Sequence, residues 1–332
     1  MWSLLDFLFT VILIITLALP IYITIKKSNK INSRKASICA LFAPIAVVLN
    51  YVLCLNTEYI ILHLSSVDPY IKSYIISISS ILISFVVFAI CYLVFSKKLN
   101  CLPKFLFFVV PGTYTFFSII KNIITAITVY TWGNTEYLYT VLGVVERSAN
   151  IFIVLIWSLT SYFVMRNLIY KILCNTVDNN IPYTENKDSK KTAVIISLFV
   201  PLYIIIYTYL YYISGYFAAQ NGIEAYLFYT NLYWAITEFL SFILCLGVFI
   251  LLIKKFKATL PVSLFFIAPG FLFARSLLIN LMDLYFNNVE DSMLKLKLEN
   301  WVAILGIGTI VIISYFVTKN IIHKLLNVHN SR

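Results

Sequence analysis

Residues 102–122 read LPKFLFFVVPGTYTFFSIIKN, and residues 260–280 read LPVSLFFIAPGFLFARSLLIN. At one fixed offset Leu102, Pro103, Leu106, Phe107, Phe108, Pro111, Gly112, Ser118 and Asn122 all recur. A second match follows, SYFVMRNLIYKIL at 161–173 against SYFVTKNIIHKLL at 314–326. Both carry helix punctuation and polar residues as well as apolar filler, so generic apolar sequence does not account for them. Self-similarity of this kind marks a tandem duplication, which has to be recognised before any fold is assigned. Positions where the copies differ then point to function.

The material of the repeat is membrane-spanning. A hydrophobic share of 61% with only 12% charged residues is far from the soluble average. Apolar stretches recur between short charged loops, each near or above the roughly 20 residues that cross a bilayer as a helix. Barrel strands alternate in polarity and are about half as long, so strands are excluded. The hydropathy predicts nine spans, near 3–25, 38–56, 72–96, 103–130, 147–169, 192–213, 226–253, 261–286 and 300–322.

A net charge of +11 would suit a nucleic-acid partner if it were clustered on one surface. It instead falls on alternate loops. One side holds Lys26, Lys27, Lys30, Arg34 and Lys35, then Lys97 and Lys98, then Arg166 and Lys171, then Lys254, Lys255 and Lys257, then Lys319 and Lys324. The other side has Lys72, Arg147, Lys295 and Lys297. This positive-inside asymmetry puts the N-terminus outside and the C-terminus in the cytoplasm. Nucleic acid is not an expected partner. Anionic lipid on the cytoplasmic side is, and a protein partner or a second copy of the chain remains possible. Abundant Ile, Asn, Lys and Tyr suggests an AT-rich bacterial source, hence a bacterial cell membrane. The first span has its positive charges after the apolar run, which reads as a retained anchor rather than a cleaved signal.

The expected fold is all-α and polytopic, nine transmembrane helices arranged as one plus four plus four. Residues 1–36 form the anchor and a basic loop, 37–174 the first four-helix repeat, 175–190 a polar cytoplasmic linker, and 191–332 the second repeat with a short basic tail. Four spans per copy return the chain to the same side, so the repeats are parallel.

Four features carry possible function. Pro111-Gly112 and Pro269-Gly270 predict a kink or break at matched depth in the third helix of each copy, because proline removes a backbone hydrogen bond and glycine adds freedom. Matched interruptions of this kind point to a binding site in transporters, although Pro and Gly also simply set packing angles. Ser118 with Asn122, and Ser276 with Asn280, stand four apart and share a helix face; structural bonding between helices is the default, a polar cavity lining the alternative. Glu238 and Arg275 fall at similar depth in the second copy, where the first has Ile81 and Phe117. Their joint presence predicts a buried ion pair, since a lone charge at mid-membrane costs about 2.5–3.5 kcal/mol. Lys121 has no evident partner and either snorkels to the outer headgroups or contacts an anion. The aromatic residues at the outer ends, including Tyr51, Tyr130, Tyr211 and Tyr212, read as an interfacial belt.

No nucleophile–base set, metal-protease motif, phosphate-binding loop or dinucleotide loop occurs, so no enzymatic activity and no cofactor are expected. Cys39, Cys54, Cys91, Cys101, Cys174 and Cys245 contain no CxxC pair, and His63, His323 and His329 are scattered, so neither a disulfide framework nor a metal site is suggested.

Leu102-Pro103-Lys104 with Tyr162-Phe163 ahead of Arg166 and Lys171, and Leu260-Pro261 with Tyr315-Phe316 ahead of Lys319 and Lys324, make each half resemble a family of short four-helix bacterial inner-membrane proteins of unknown function. That family has a Trp and a Pro just before the Tyr-Phe, where this chain has Ser161 and Ser314 next to the Tyr and Trp157 further back. The resemblance implies topology and no activity. The functional expectation is transport or small-ligand binding at the interface of the repeats, near the interrupted helices. The alternative is a non-catalytic partner or regulatory membrane subunit docking through its basic cytoplasmic face.

Overall fold

The computed structural model describes residues 4–26, 31–63, 68–97, 99, 102–132, 138–176, 187–220, 223–256, 258, 260–286 and 292–330. Among them the regular structure is helical throughout. The helices are α1 (Leu4–Lys26), α2 (Ile31–Ala40), α3 (Phe42–Leu62), α4 (Pro69–Ser96), α5 (Val109–Trp132) and α6 (Leu138–Thr176). The second half of the chain adds α7 (Lys187–Ser197), α8 (Phe199–Gln220), α9 (Ile223–Lys255), α10 (Ile267–Gly270), α11 (Leu272–Phe286) and α12 (Ser292–Asn330). Short 3-10 turns at Leu106–Phe108 and Val262–Phe266 precede α5 and α10. Eight segments are long and apolar enough to cross a membrane, and α1 adds a shorter apolar stretch at Ile14–Ile25. A chain this apolar satisfies its backbone inside helices because lipid offers no hydrogen-bond partners.

Prolines set the interruptions. Pro44, Pro111, Pro201 and Pro269 are each the third residue of their helix, α3, α5, α8 and α10. The missing N–H there belongs to the first turn, where no intrahelical acceptor waits for it. The same missing donor stops the helix from running back through the preceding residues. Accordingly α2 gives way to α3 at Leu41, and α7 to α8 at Leu198.

Pro111-Gly112 was expected to break its helix internally. The structure corrects this: α5 runs unbroken from Val109 to Trp132, and the change from 3-10 to α geometry comes just ahead of Pro111. In the second half the α-helix is interrupted once more, at Phe271 directly after Gly270. The outer stretch 56–70 also differs from expectation, because α3 continues to Leu62; Asn56 and Thr57 side chains bond the carbonyls of Val52 and Leu53. Helices α6 and α12 begin at Leu138 and Ser292 and have 39 residues each. At 1.5 Å per residue that is about 58 Å, well beyond the hydrocarbon core, so the helical period persists into the polar flanks. Most of the polar linker, 177–186, lies outside the described residues.

Helix neighbours decide where side chains meet. α3 packs on α4 and α8 on α9; α2 and α3 lie on α6, as α7 and α8 lie on α12; α5 packs on α6 and α11 on α12. The third long helix of each half then reaches across, α5 lying along α9 and α11 along α4, while α5 and α10 meet directly. α1 sits on α6 and α3, with Thr24 and Tyr162 hydroxyls 2.8 Å apart. Bulky rings fill the centre, including Phe42, Tyr92, Phe199, Tyr203, Phe249 and Phe265, all buried. The periphery is apolar too, with Ile14, Leu93, Val94, Leu251 and Leu305 exposed. A surface of that kind suits lipid and would aggregate in water.

Candidate functional site

The halves touch most closely where α5 and α10 cross. A methyl group added to Gly112 would overlap the backbone oxygen of Phe266, and one added to Gly270 would overlap the backbone oxygen of Phe108. Only glycine lets the two backbones approach this far. The Phe108 and Phe271 rings stack beside the crossing, centroids 4.3 Å apart. Pro111, Gly112, Pro269 and Gly270 are all buried. The Pro-Gly pairs therefore build a tight backbone contact rather than a wide gap.

A cavity of about 220 Å³ opens next to this crossing. Its walls include Asn50 and Cys54 of α3, Ser84 of α4, Tyr114 of α5, Trp157 of α6 and, from the second half of the chain, Phe273 of α11. The exchange of third helices explains why Phe273 belongs to this wall. The polar lining is organised. Asn50 Oδ1 accepts from Ser84 Oγ at 2.9 Å. Trp157 Nε1 donates to the Val110 carbonyl and to Thr113 Oγ1, both at 3.0 Å. Thr113 Oγ1 and Ser161 Oγ lie 2.8 Å apart. These bonds fix the indole against the start of α5, and the Tyr114 and Trp157 rings meet edge-on at 4.9 Å. The volume equals about seven waters at roughly 30 Å³ each, which suits a small solute rather than a drug-sized one. Asn50, Ser84, Tyr114 and Trp157 are not evident from the sequence as a set, because they come from four helices. The available signal was an isolated Asn50 in an otherwise apolar span.

Glu238 and Arg275 are both deeply buried, 9% and 3% exposed. They do not form the expected ion pair. Glu238 Oε1 accepts from Ser118 Oγ at 2.9 Å, and Oε2 has no hydrogen-bond partner. Arg275 Nε donates to Thr208 Oγ1 at 3.0 Å, and Nη2 has no partner. The reason is topological: Glu238 rides on α9, which packs on α5 and α8, whereas Arg275 rides on α11, which packs on α4 and α12. The two helices were expected to be adjacent and instead serve different neighbours. Tyrosine faces take the guanidinium, Tyr211 at 4.7 Å and Tyr207 at 5.3 Å from ring centroid to Cζ. Such cation–π contacts are worth up to about 2 kcal/mol each when desolvated. Tyr211, read from the sequence as an interfacial belt residue, is thus a wall for Arg275 and also stacks on Trp234 at 5.9 Å. The spacing of Tyr203, Tyr207 and Tyr211 already places them on one helical face.

The remaining sites separate. Ser118 bonds across helices, as expected of interhelical polar residues. Asn280 does not: its side chain turns back to the Ser276 carbonyl of its own helix at 2.8 Å. Asn122, Ser276 and Lys121 are half-buried, and Lys121 makes no ion pair with Glu238. Tyr114 lies one turn before Ser118 on α5 and within electrostatic reach of Glu238, which sets the carboxylate just behind the cavity wall. Tyr207 interacts with both Glu238 and Arg275. Among the described residues no three His, Cys, Asp or Glu side chains converge as metal ligands. Compared with known proteins, the chain matches no family model, no curated protein and no solved structure.

Proposed function

We propose that this chain binds a small polar solute within the membrane, as the recognition step of transport, in the cavity between α3, α4, α5, α6 and α11. The observation that carries this is the cavity itself, a polar-lined space of about 220 Å³ among transmembrane helices, closed on one side by a helix from the other half of the chain. Its lining of amide, hydroxyl, thiol and indole groups, without a formal charge, selects an uncharged or weakly polar solute. The buried Glu238 stands one layer behind Tyr114, where it responds to what the cavity holds. Ionisable residues inside a membrane are retained for such work more often than for architecture.

The architecture belonging to this proposal is an anchor helix followed by two parallel four-helix repeats, in a cell membrane with the N-terminus outside. Several independent likenesses support the duplication. Leu41-Phe42-Ala43-Pro44 and Leu198-Phe199-Val200-Pro201 both begin a helix after an interruption. Phe42, Tyr92 and Phe107 cluster in one half, as Phe199, Phe249 and Phe265 do in the other. The two glycine contacts are reciprocal, and each half's third helix lies against the other's second. A ligand site at such an interface opens and closes as the halves rock.

The test uses Trp157 as reporter, in a variant whose other tryptophans are replaced by phenylalanine. Trp157 is 5% exposed, so a closed core would shield it. Acrylamide, a small neutral polar solute, is expected to quench its fluorescence, and Ser84→Leu, which fills the cavity, is expected to suppress that quenching. Quenching that is absent from the start, or that survives Ser84→Leu unchanged, contradicts the proposal.

A further inference from the structure

At the basic end of the bundle a second cavity of about 510 Å³ lies between α2 and α6, lined by Ser33, Phe163, Arg166, Asn167 and Tyr170. Arg166 Nε donates to Ser37 Oγ at 2.8 Å, and Nη2 to Ser33 Oγ at 3.4 Å. Two serines one helical turn apart thus hold the guanidinium in a fixed orientation. Hydroxyls orient a cation without neutralising it. Residues 7–57 and 147–177 contain no Asp or Glu at all, so neither α2, α3 nor the long part of α6 that surrounds Arg166 supplies a counter-charge. The field is reinforced by Arg34 and Lys35 on α2 and Lys171 on α6, all exposed. Beside the guanidinium the wall turns apolar and outward: Phe163 is 46% exposed and Ile38 46% exposed.

We propose that this cavity binds the phosphate of an anionic phospholipid, with Arg166 as the fixed donor and the acyl chain lying against Phe163. A planar guanidinium pre-oriented by two hydroxyls matches phosphate oxygens better than a mobile lysine does. Asn167 and Tyr170 add neutral polar groups at the rim. The depth fits, since Arg166 follows Tyr162, whose hydroxyl meets Thr24 two residues before the end of α1. That is the level at which the apolar helix ends and the headgroup region begins. The equivalent of Arg166 in the second match is Lys319, packed near its own Phe316 ring at 5.9 Å. The lipid site is thus a property of the first half alone and stands apart from the solute cavity.

The full-length protein in neutral detergent tests it. Thermal unfolding is followed on titration with phosphatidylglycerol, with phosphatidylcholine and with inorganic phosphate. Phosphatidylglycerol is expected to raise the transition temperature of the wild type, with little response to phosphatidylcholine or phosphate. R166Q is expected to weaken the phosphatidylglycerol midpoint about fivefold or more, the usual effect of one basic residue facing anionic lipid. R166K keeps the charge without the fork and is expected to fall between, and K255Q, an exposed cation elsewhere, to match the wild type. Should R166Q not fold, the comparison of R166K with K255Q carries the same test. An equal response to phosphatidylcholine, an equal response to inorganic phosphate, or Arg166 variants indistinguishable from K255Q would each overturn the proposal.

Discussion

Gly112→Ala and Gly270→Ala each eliminate the folded protein, while Gly215→Ala, Gly247→Ala and Gly308→Ala do not. The first two positions face the backbone oxygens of Phe266 and Phe108, and an added methyl overlaps them. Around the other three nothing lies within 4 Å. Overpacking into flexible side chains costs about 1–3 kcal/mol. A carbonyl in a helix start cannot rotate away, so the cost here exceeds that range and takes up much of the roughly 5–15 kcal/mol by which folded chains are stable. At the three open positions alanine is neutral or stabilises by up to about 1 kcal/mol through helix propensity. Monodisperse yield after detergent extraction, and the thermal transition of what is recovered, read this directly. A well-folded Gly112→Ala protein with an unchanged transition would mean that α5 and α10 do not cross as described.

The second large effect has the opposite sign. Glu238→Met and Arg275→Met are each expected to hold or raise stability, and the double variant to gain about 1–4 kcal/mol, the range found when buried ions give way to apolar residues of similar size. Each charge has a single side-chain hydrogen-bond acceptor or donor and one atom without a partner. When the charges are removed, Ser118 and Thr208 can return their hydroxyls to the carbonyl one turn back on their own helices. Because the two groups do not pair, their effects add. A true ion pair behaves differently: losing one partner costs about 3–5 kcal/mol, and losing both restores stability. Thermal unfolding of the four proteins of this cycle separates the cases. Strong destabilisation by each single change, relieved in the double, would reinstate the pair. Stabilisation alongside lost solute binding would show that the charges are kept for function at the expense of stability.

Much of this was legible in the residues, and the part that was not has a physical cause. The helices, their number and their approximate limits follow from hydropathy, because a membrane leaves the chain no alternative to helix. The recurring Pro-Gly correctly singled out the third helices. The position of the interruption was missed by one turn, since Pro111 sits in the first turn of α5 rather than in its interior. Glu238 and Arg275 were identified as buried, which their asymmetry between the copies made visible. Their partners were misjudged because depth along a helix is readable from residue count, whereas which helix stands next to which is not. Helix exchange between the halves moves Glu238 to Ser118 and leaves Arg275 to Thr208 and the tyrosines. It also assembles the cavity, whose walls are individually unremarkable residues on five helices.

Water access to Cys54 is the most direct measurement of the central claim. Cys54 is a native cavity wall residue, its Sγ near Asn50 Oδ1 at 3.5 Å, and the other cysteines can be replaced without touching the lining. Intact cells would be treated with a small membrane-impermeant thiol reagent, and labelling compared with that of the denatured protein. The account predicts that Cys54 is modified in the folded protein and that Ser84→Leu, by filling the cavity, protects it. A folded protein whose Cys54 stays unlabelled from either side of the membrane, yet labels fully on denaturation, would mean a dry core and would contradict solute binding at this site.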